Sequence, residues 1–258
     1  MSFETLLVDR ADGIVSVTMN RPERKNAANG AMWDELLQVF REVGSNSDDR
    51  VLVLTGAGGD FCSGADVSGM GSGGTHGLAN MRHISDVAMA LYRLPQPAIA
   101  KVRGIAAGAG MNLALLCDIV IAGETARFSE IFARRGLTID FGGSWALPRR
   151  VGLHRAKELT LLADIIDATE ADRIGLVNRV VSDDTLDKYV TEMATRLAAG
   201  PPIALAQAKR LLNNAIGSTL EQALDEEGAA QTINFSTKDT AEAVKAFLDK
   251  RTPTFEGR

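Results

Sequence analysis

Gly104-Ile105-Ala106-Ala107-Gly108-Ala109-Gly110-Met111-Asn112-Leu113-Ala114-Leu115-Leu116-Cys117-Asp118 opens with glycine and alanine and continues as an apolar run of helical length. Residues this small let backbone approach a ligand closely and leave amide N–H groups unshielded. The first amides of a helix have no partner inside it, so a helix start of this composition suits an anion or an anionic oxygen. The same small residues would also suit a tightly packed core helix, and the flanking sequence has to separate the two.

On the upstream side, Ala98-Ile99-Ala100-Lys101-Val102 reads as a short strand that delivers the chain to this helix start. Downstream, Ile119-Val120-Ile121-Ala122 and Arg127-Phe128-Ser129 read as further strands. At the N-terminus, Thr5 to Val8, an Asp12-Gly13 turn and Ile14 to Met19 predict a β-hairpin. An amphipathic helix from Ala31 to Val43 follows, with Asn29 at its cap, and then a buried strand at Val51-Leu52-Val53-Leu54-Thr55. Helices are expected over Asn80 to Arg93, Gly142 to Val151 and Arg155 to Leu162, with a short one at Thr169 to Asp172 and a strand at Leu176 to Val181. From Asp184 the pattern is helical, interrupted at Gly200-Pro201-Pro202 and Gly217-Ser218. The order of elements is that of an α/β core with a helical appendage.

The 258 residues, 45% apolar and 24% charged, describe an ordinary globular chain able to bury a large core. A net charge of −5 argues against nucleic acid as a partner. Cys62 and Cys117 lie among small and apolar residues without metal or redox spacing, and the start of the chain has no apolar leader, so a reducing cytoplasm is expected. No segment reaches the ~20 apolar residues of a membrane span. Gly56-Ala57-Gly58-Gly59 lacks the Gly-Lys-Ser/Thr ending of a phosphate-binding loop, and Gly108 to Leu113 lacks the third glycine of a dinucleotide fingerprint. His76, His83 and His154 have no metal-ligand spacing, and no metal site is expected. Ser68 to Gly77 is glycine-rich and is expected to be a mobile lid or linker.

Six segments in order resemble the enoyl-CoA hydratase/isomerase (crotonase) family: Asn20-Arg21-Pro22, Phe61 to Asp66, Gly104 to Asp118, Leu147 to Gly152, Ala171 with Gly175-Leu176-Val177, and Pro202 to Lys209. The resemblance implies a spiral of ββα units forming an acyl-CoA-binding core over residues 1–198. It also implies a C-terminal helical region over 199–258 that packs in a homotrimer or a dimer of trimers. Coenzyme A enters as part of an acyl-CoA thioester substrate, and no permanently bound cofactor is implied. The thioester oxygen would sit in an oxyanion hole made by the backbone amides of Ala65 and Ala109, which suits chemistry that builds charge on one oxygen. Arg24, Lys25, Ala27, Gly64, Asp66, Val67, Gly110 and Asn112 match positions that line the coenzyme A and substrate sites.

Hydratases of the family carry one glutamate at the position of Asn112 and a second at the position of Phe132, and here neither is a carboxylate. Glu130 lies two residues before the second position, where a surface or coenzyme-side carboxylate is expected. Asp140, in Gly136-Leu137-Thr138-Ile139-Asp140-Phe141-Gly142-Gly143-Ser144-Trp145, resembles the isomerase branches, above all the enzymes that convert ring-epoxidised phenylacetyl-CoA to its oxepin form. An aspartate ahead of Gly142-Gly143 is also a good helix cap. Phe132 and Trp145 are expected to line the acyl pocket. The expectation is an acyl-CoA enzyme that isomerises an enoyl thioester with Asp140 as proton carrier; hydration to a 3-hydroxyacyl-CoA and non-catalytic acyl-CoA binding are the alternatives.

Overall fold

The computed structural model describes residues 3–69 and 77–258. The Ser68 to Gly77 lid or linker, with His76, lies largely outside them. Strands β1 (Leu6–Ala11) and β2 (Ile14–Met19) form the expected hairpin, turned by Asp12 and Gly13 at φ of 53° and 76°. Two successive left-handed residues give the turn whose twist matches a hairpin. Helix α1 (Gly30–Ser45) starts where Asn29 Oδ1 accepts from the Met32 amide at 3.0 Å. It buries Met32, Trp33, Leu36, Leu37, Val39, Phe40 and Val43, each stabilising the fold by about 1.5–3 kcal/mol. Next come β3 (Val51–Gly56), α2 (Gly77–Tyr92), β4 (Ala98–Val102), β5 (Ile105–Ala107), α3 (Ala109–Leu115), β6 (Ile119–Gly123) and β7 (Arg127–Ser129). Helix α4 (Gly143–Leu162) is broken at Gly152, where φ 76° and ψ 160° separate the two helical runs expected from sequence.

The main sheet has the order β1-β2-β3-β4-β6-β9, where β9 is Arg179–Val181, and every pairing after the hairpin is parallel. A second sheet, β5-β7-β8 with β8 at Ile166–Asp167, is extended by isolated bridges pairing Cys62 with Ala106 and Ala28 with Ala65. The main-sheet strands β2, β3, β4 and β6 are thus each followed by a second-layer segment, and then by α1, α2, α3 and α4. Both layers stack in the same order, so the chain is a spiral that advances one strand per turn. This is the crotonase-type α/β architecture.

Two details differ from the sequence expectation. Ile105 to Ala107 is strand, and α3 is only seven residues long, because Gly108 stands between them at φ 53° and ψ −129°, a backbone closed to residues with a side chain. Leu176 to Asn178 also precede rather than join β9. After β8, Asp167 caps α5 (Ala168–Arg173). Helix α6 (Leu186–Ala198) packs Leu186, Val190 and Ala194 on Val51, Val53, Ile99 and Ile121, covering the face of the main sheet away from the larger core. Helices α7 (Pro202–Ala215), α8 (Leu220–Phe235) and α9 (Lys238–Leu248) end the chain, with Leu212, Leu220, Leu224, Phe235 and Phe247 exposed. No helix among the described residues is long and apolar enough to cross a membrane.

Candidate active site

Consecutive turns of the spiral bring Phe61 to Val67 against the junction of β5 and α3. The Ala28 bridge uses the Gly64 carbonyl (2.8 Å) and the Asp66 amide (2.9 Å), which leaves the Ala65 N–H outside that ladder. One turn further on, Gly108 donates to the Ser129 carbonyl at 2.8 Å and the first helical bond runs from Asn112 to Gly108 at 3.0 Å. The Ala109 amide, at the first position of α3, therefore has no acceptor within the helix. Gly64, at φ 105°, makes the two amides neighbours: a Cβ there would stand 2.9 Å from the Ala107 carbonyl oxygen and 3.7 Å from the Ala109 nitrogen. Gly110 has the same duty one residue later, since a Cβ would overlap the Cys62 carbonyl.

A cavity of 340 Å³ opens in front of these amides. Of the residues expected at the site, Arg24, Ala27, Gly64, Ala65, Asp66, Val67, Ala109, Phe132 and Asp140 line it. Lys25, Gly110 and Asn112 do not: Gly110 and Asn112 are buried, and Lys25 is exposed, its part in the loop being a carbonyl that accepts from Ser63 at 3.0 Å. Trp145 is a correction. It lies in a separate cavity with Tyr92 and Arg149, its ring 5.2 Å edge-on from Tyr92 and 4.1 Å under the Arg149 guanidinium. Helix α4 turns that side chain toward α2 and α7, not toward the acyl pocket. Arg135, Ile131, Leu137 and Ile165 also line the 340 Å³ cavity, and no periodicity in the sequence marks them.

Two carboxylates face the cavity, and their environments differ. Asp66 accepts from Ser68 and from Arg21 Nη1 (2.9 Å), and these hydrogen bonds hold it down at about 2. Burial instead pushes Asp140 up to about 6, and its Oδ1 has no partner. Asp140 does not cap α4: Gly142 occupies the cap, with no side-chain bond, and only the Asp140 backbone carbonyl is used, accepting from Gly143 at 2.9 Å. The turn that presents it contains Phe141 at φ 49°, an uncommon conformation for a bulky residue, retained because the ring is buried 5.2 Å from Trp33.

Behind this wall Asn112 is fully buried, and its Nδ2 donates to the Asp140 carbonyl (3.0 Å) and to Glu130 Oε2 (3.3 Å). Glu130 is the second correction. It is not a surface or coenzyme-side carboxylate but is 0% exposed, with Oε1 unpartnered. Burial pushes it up to about 8, opposed by the Asn112 bond and reinforced by the Asp140 charge. Phe128 and Phe132 on either side of it are buried too, and that apolar bracket is the one signal in the sequence that pointed inward.

The enoyl-CoA hydratase/isomerase family model matches residues 9–258. A 1,2-epoxyphenylacetyl-CoA isomerase of Escherichia coli is 38% identical, covering 99% of this chain and 99% of its own. The chain belongs to the enoyl-CoA hydratase/isomerase family. A Rhodobacter capsulatus protein named "Probable enoyl-CoA hydratase" is 39% identical over the whole of both chains. An enoyl-CoA hydratase structure from Bacillus anthracis superposes with a TM-score of 0.94 at 34% identity, covering 99% of this chain and 100% of that one. This family member therefore has relatives named for both reactions; apolar Phe132 lines its cavity, and Asn112 is buried behind it.

Proposed function

We propose that this enzyme of the enoyl-CoA hydratase/isomerase family is an isomerase. It would hold the thioester oxygen between the Ala65 and Ala109 amides and move a proton with Asp140. The observation that carries this reading is the state of Asp140: on the cavity wall it is the carboxylate with a free oxygen and a proton affinity raised toward neutrality. The Asp140 carboxylate takes a proton from a carbon next to the double-bond system, and the electron pair moves onto the thioester oxygen. The two amides stabilise that enolate. Asp140 then returns the proton to another carbon of the same system, and the double bond has moved without loss or gain of atoms. Arg24 and Arg135 at the cavity wall are the cations available to the coenzyme A phosphates.

Hydration is the second reading, favoured by the name of the 39% identical Rhodobacter relative. Incubation with a panel of 2-enoyl-, 3-enoyl- and aryl-CoA thioesters, read by chromatography and mass spectrometry, separates the two. A product of unchanged mass and shifted retention supports isomerisation, and products heavier by one water alone overturn it. We also propose that α7, α8 and α9 pack against other copies in a trimer or dimer of trimers, supported by Leu212 at 73%, Leu220 at 77% and Phe247 at 81% exposure. A monomer by light scattering at micromolar concentration would sink that proposal.

A further inference from the structure

Among the buried groups that the mechanism above does not use is Glu130, next to Asn112 and Asp140. Asp140 can accept at its backbone carbonyl and cannot donate there, so it fixes which end of the Asn112 amide is Nδ2. Nδ2 spends its two hydrogens on the Asp140 carbonyl and on Glu130 Oε2, leaving Asn112 Oδ1 buried without a donor. Glu130 Oε1 is likewise buried and alone. A charged carboxylate offers only acceptors, so it leaves both buried atoms orphaned, which is unfavourable. A protonated carboxyl supplies one O–H, the single missing donor, on the residue already bonded to that amide.

We propose that Glu130 is a positioning residue of this site, a carboxylic acid that stays protonated while Asp140 is charged. It pairs with the Asn112 amide through two hydrogen bonds, and so fixes the Asp140 backbone against the cavity. This rests on Asp140 being the proton carrier. Glu130 does not line the cavity and touches no substrate; it acts through Asn112.

The charges around it agree. From α3 it meets the neutral Asn112, and from the segment before α4 it meets Asp140, the charged group that acts on it. On its own segment Ser129 is bonded to the Ala163 carbonyl at 3.2 Å, Arg134 is turned out to Asp164 at 2.6 Å, and Arg135 is on the cavity wall. Arg24 and Asp66 lie on that wall too. No cation is paired with Glu130 among the described residues, and a carboxylate deep in a protein without a cation favours its neutral form. Two carboxyls whose surroundings separate their proton affinities have separate duties.

The test reads protonation directly, by infrared difference spectroscopy of the full-length protein without ligand as pH is raised. The expected result is a protonated-carboxyl carbonyl band that persists at pH 7, disappears near pH 8, and is absent in Glu130→Gln. In Asp140→Asn the same band should titrate at lower pH, because the neighbouring charge is gone. A wild type with no such band at pH 7, or one that Glu130→Gln leaves in place, overturns the proposal. Turnover of whichever panel thioester the wild type isomerises gives the second readout. Glu130→Ala should lose about tenfold to 100-fold in kcat with little change in KM. Glu130→Gln, neutral and able both to donate and to accept, should restore most of that loss, and its rate should not decline as pH rises through about 8, where the wild type's should. Equal losses in the two variants, both folded by circular dichroism, also overturn it. Full activity in Asp140→Asn would instead strike the proton-carrier reading, and the infrared result stands apart from that outcome.

Discussion

On one wall of the cavity, Gly64, Ala65, Gly108 and Ala109 contribute backbone held by strand bridges and a helix start, and side chains take almost no part. On the other, Asp140 contributes its side chain with Asn112 and Glu130 buried behind it, and each of the three has a buried polar atom without a partner. The first wall is made by the fold itself: any chain that stacks these turns of the spiral with glycine at the close approaches acquires two adjacent free amides. The second is made by three residues that the fold tolerates at a cost, since unpartnered buried polar atoms are unfavourable. The difference teaches where specificity resides. On the proposed reading, activation of a thioester belongs to the architecture, and the choice of what is done with the proton belongs to the polar wall.

The strongest way to break this contrast is Asp140→Asn. It keeps the shape and the backbone bond to Gly143, and turnover of the isomerised thioester should fall ~10²–10⁴-fold while acyl-CoA still binds. In the parent, burial raises Asp140 to about 6, so the base form is present above that pH and turnover should decline as pH falls through it. Full activity in the folded variant would make Asp140 structural. The architectural wall is tested by Gly64→Ala, which must adopt φ 105° and sets a methyl 2.9 Å from the Ala107 carbonyl oxygen. A loss of about 10²-fold in kcat/KM is expected, the size of one lost oxyanion donor. An unchanged rate in a folded variant would remove the Ala65 and Ala109 amides from the chemistry. Smallest is Trp145→Phe. It gives up packing on Tyr92 and Arg149 in the separate cavity, so Tm should drop by a few degrees for ~1 kcal/mol while turnover stays within about twofold. A large rise in KM would return Trp145 to the acyl pocket.

Much of the architectural wall could be read in the sequence, because its signals are local. Asp12-Gly13 turns the hairpin, Asn29 caps α1, and Gly64, Gly108 and Gly110 stand where backbone meets backbone. The helix start at Ala109 was legible; its short length was not, since Ile105 to Ala107 are as apolar as a helix would be and only pairing with β7 makes them strand. The polar wall was half legible. Asp140 stood out by position, but Glu130 lies on a three-residue strand's exit where no periodicity assigns a face, and its burial is settled by Asn112, distant in sequence. Trp145 failed for a related reason: a large ring two residues into a helix reads as core from any side, and only the neighbours on α2 and α7 decide which.

Ala65 and Ala109 belong to successive turns of the spiral, with α2 and β4 between them along the chain. A chain folded only as far as α2 would contain Ala65, Arg24 and Asp66 but nothing to complete the pair, because the second amide arrives only when β5 docks beside Cys62. Closing such a long loop is slow compared with forming any one helix. On the proposed reading, catalytic competence therefore waits for that docking. On that same reading, partly folded chains, during synthesis or after thermal damage, lack the second amide that would hold an enolate.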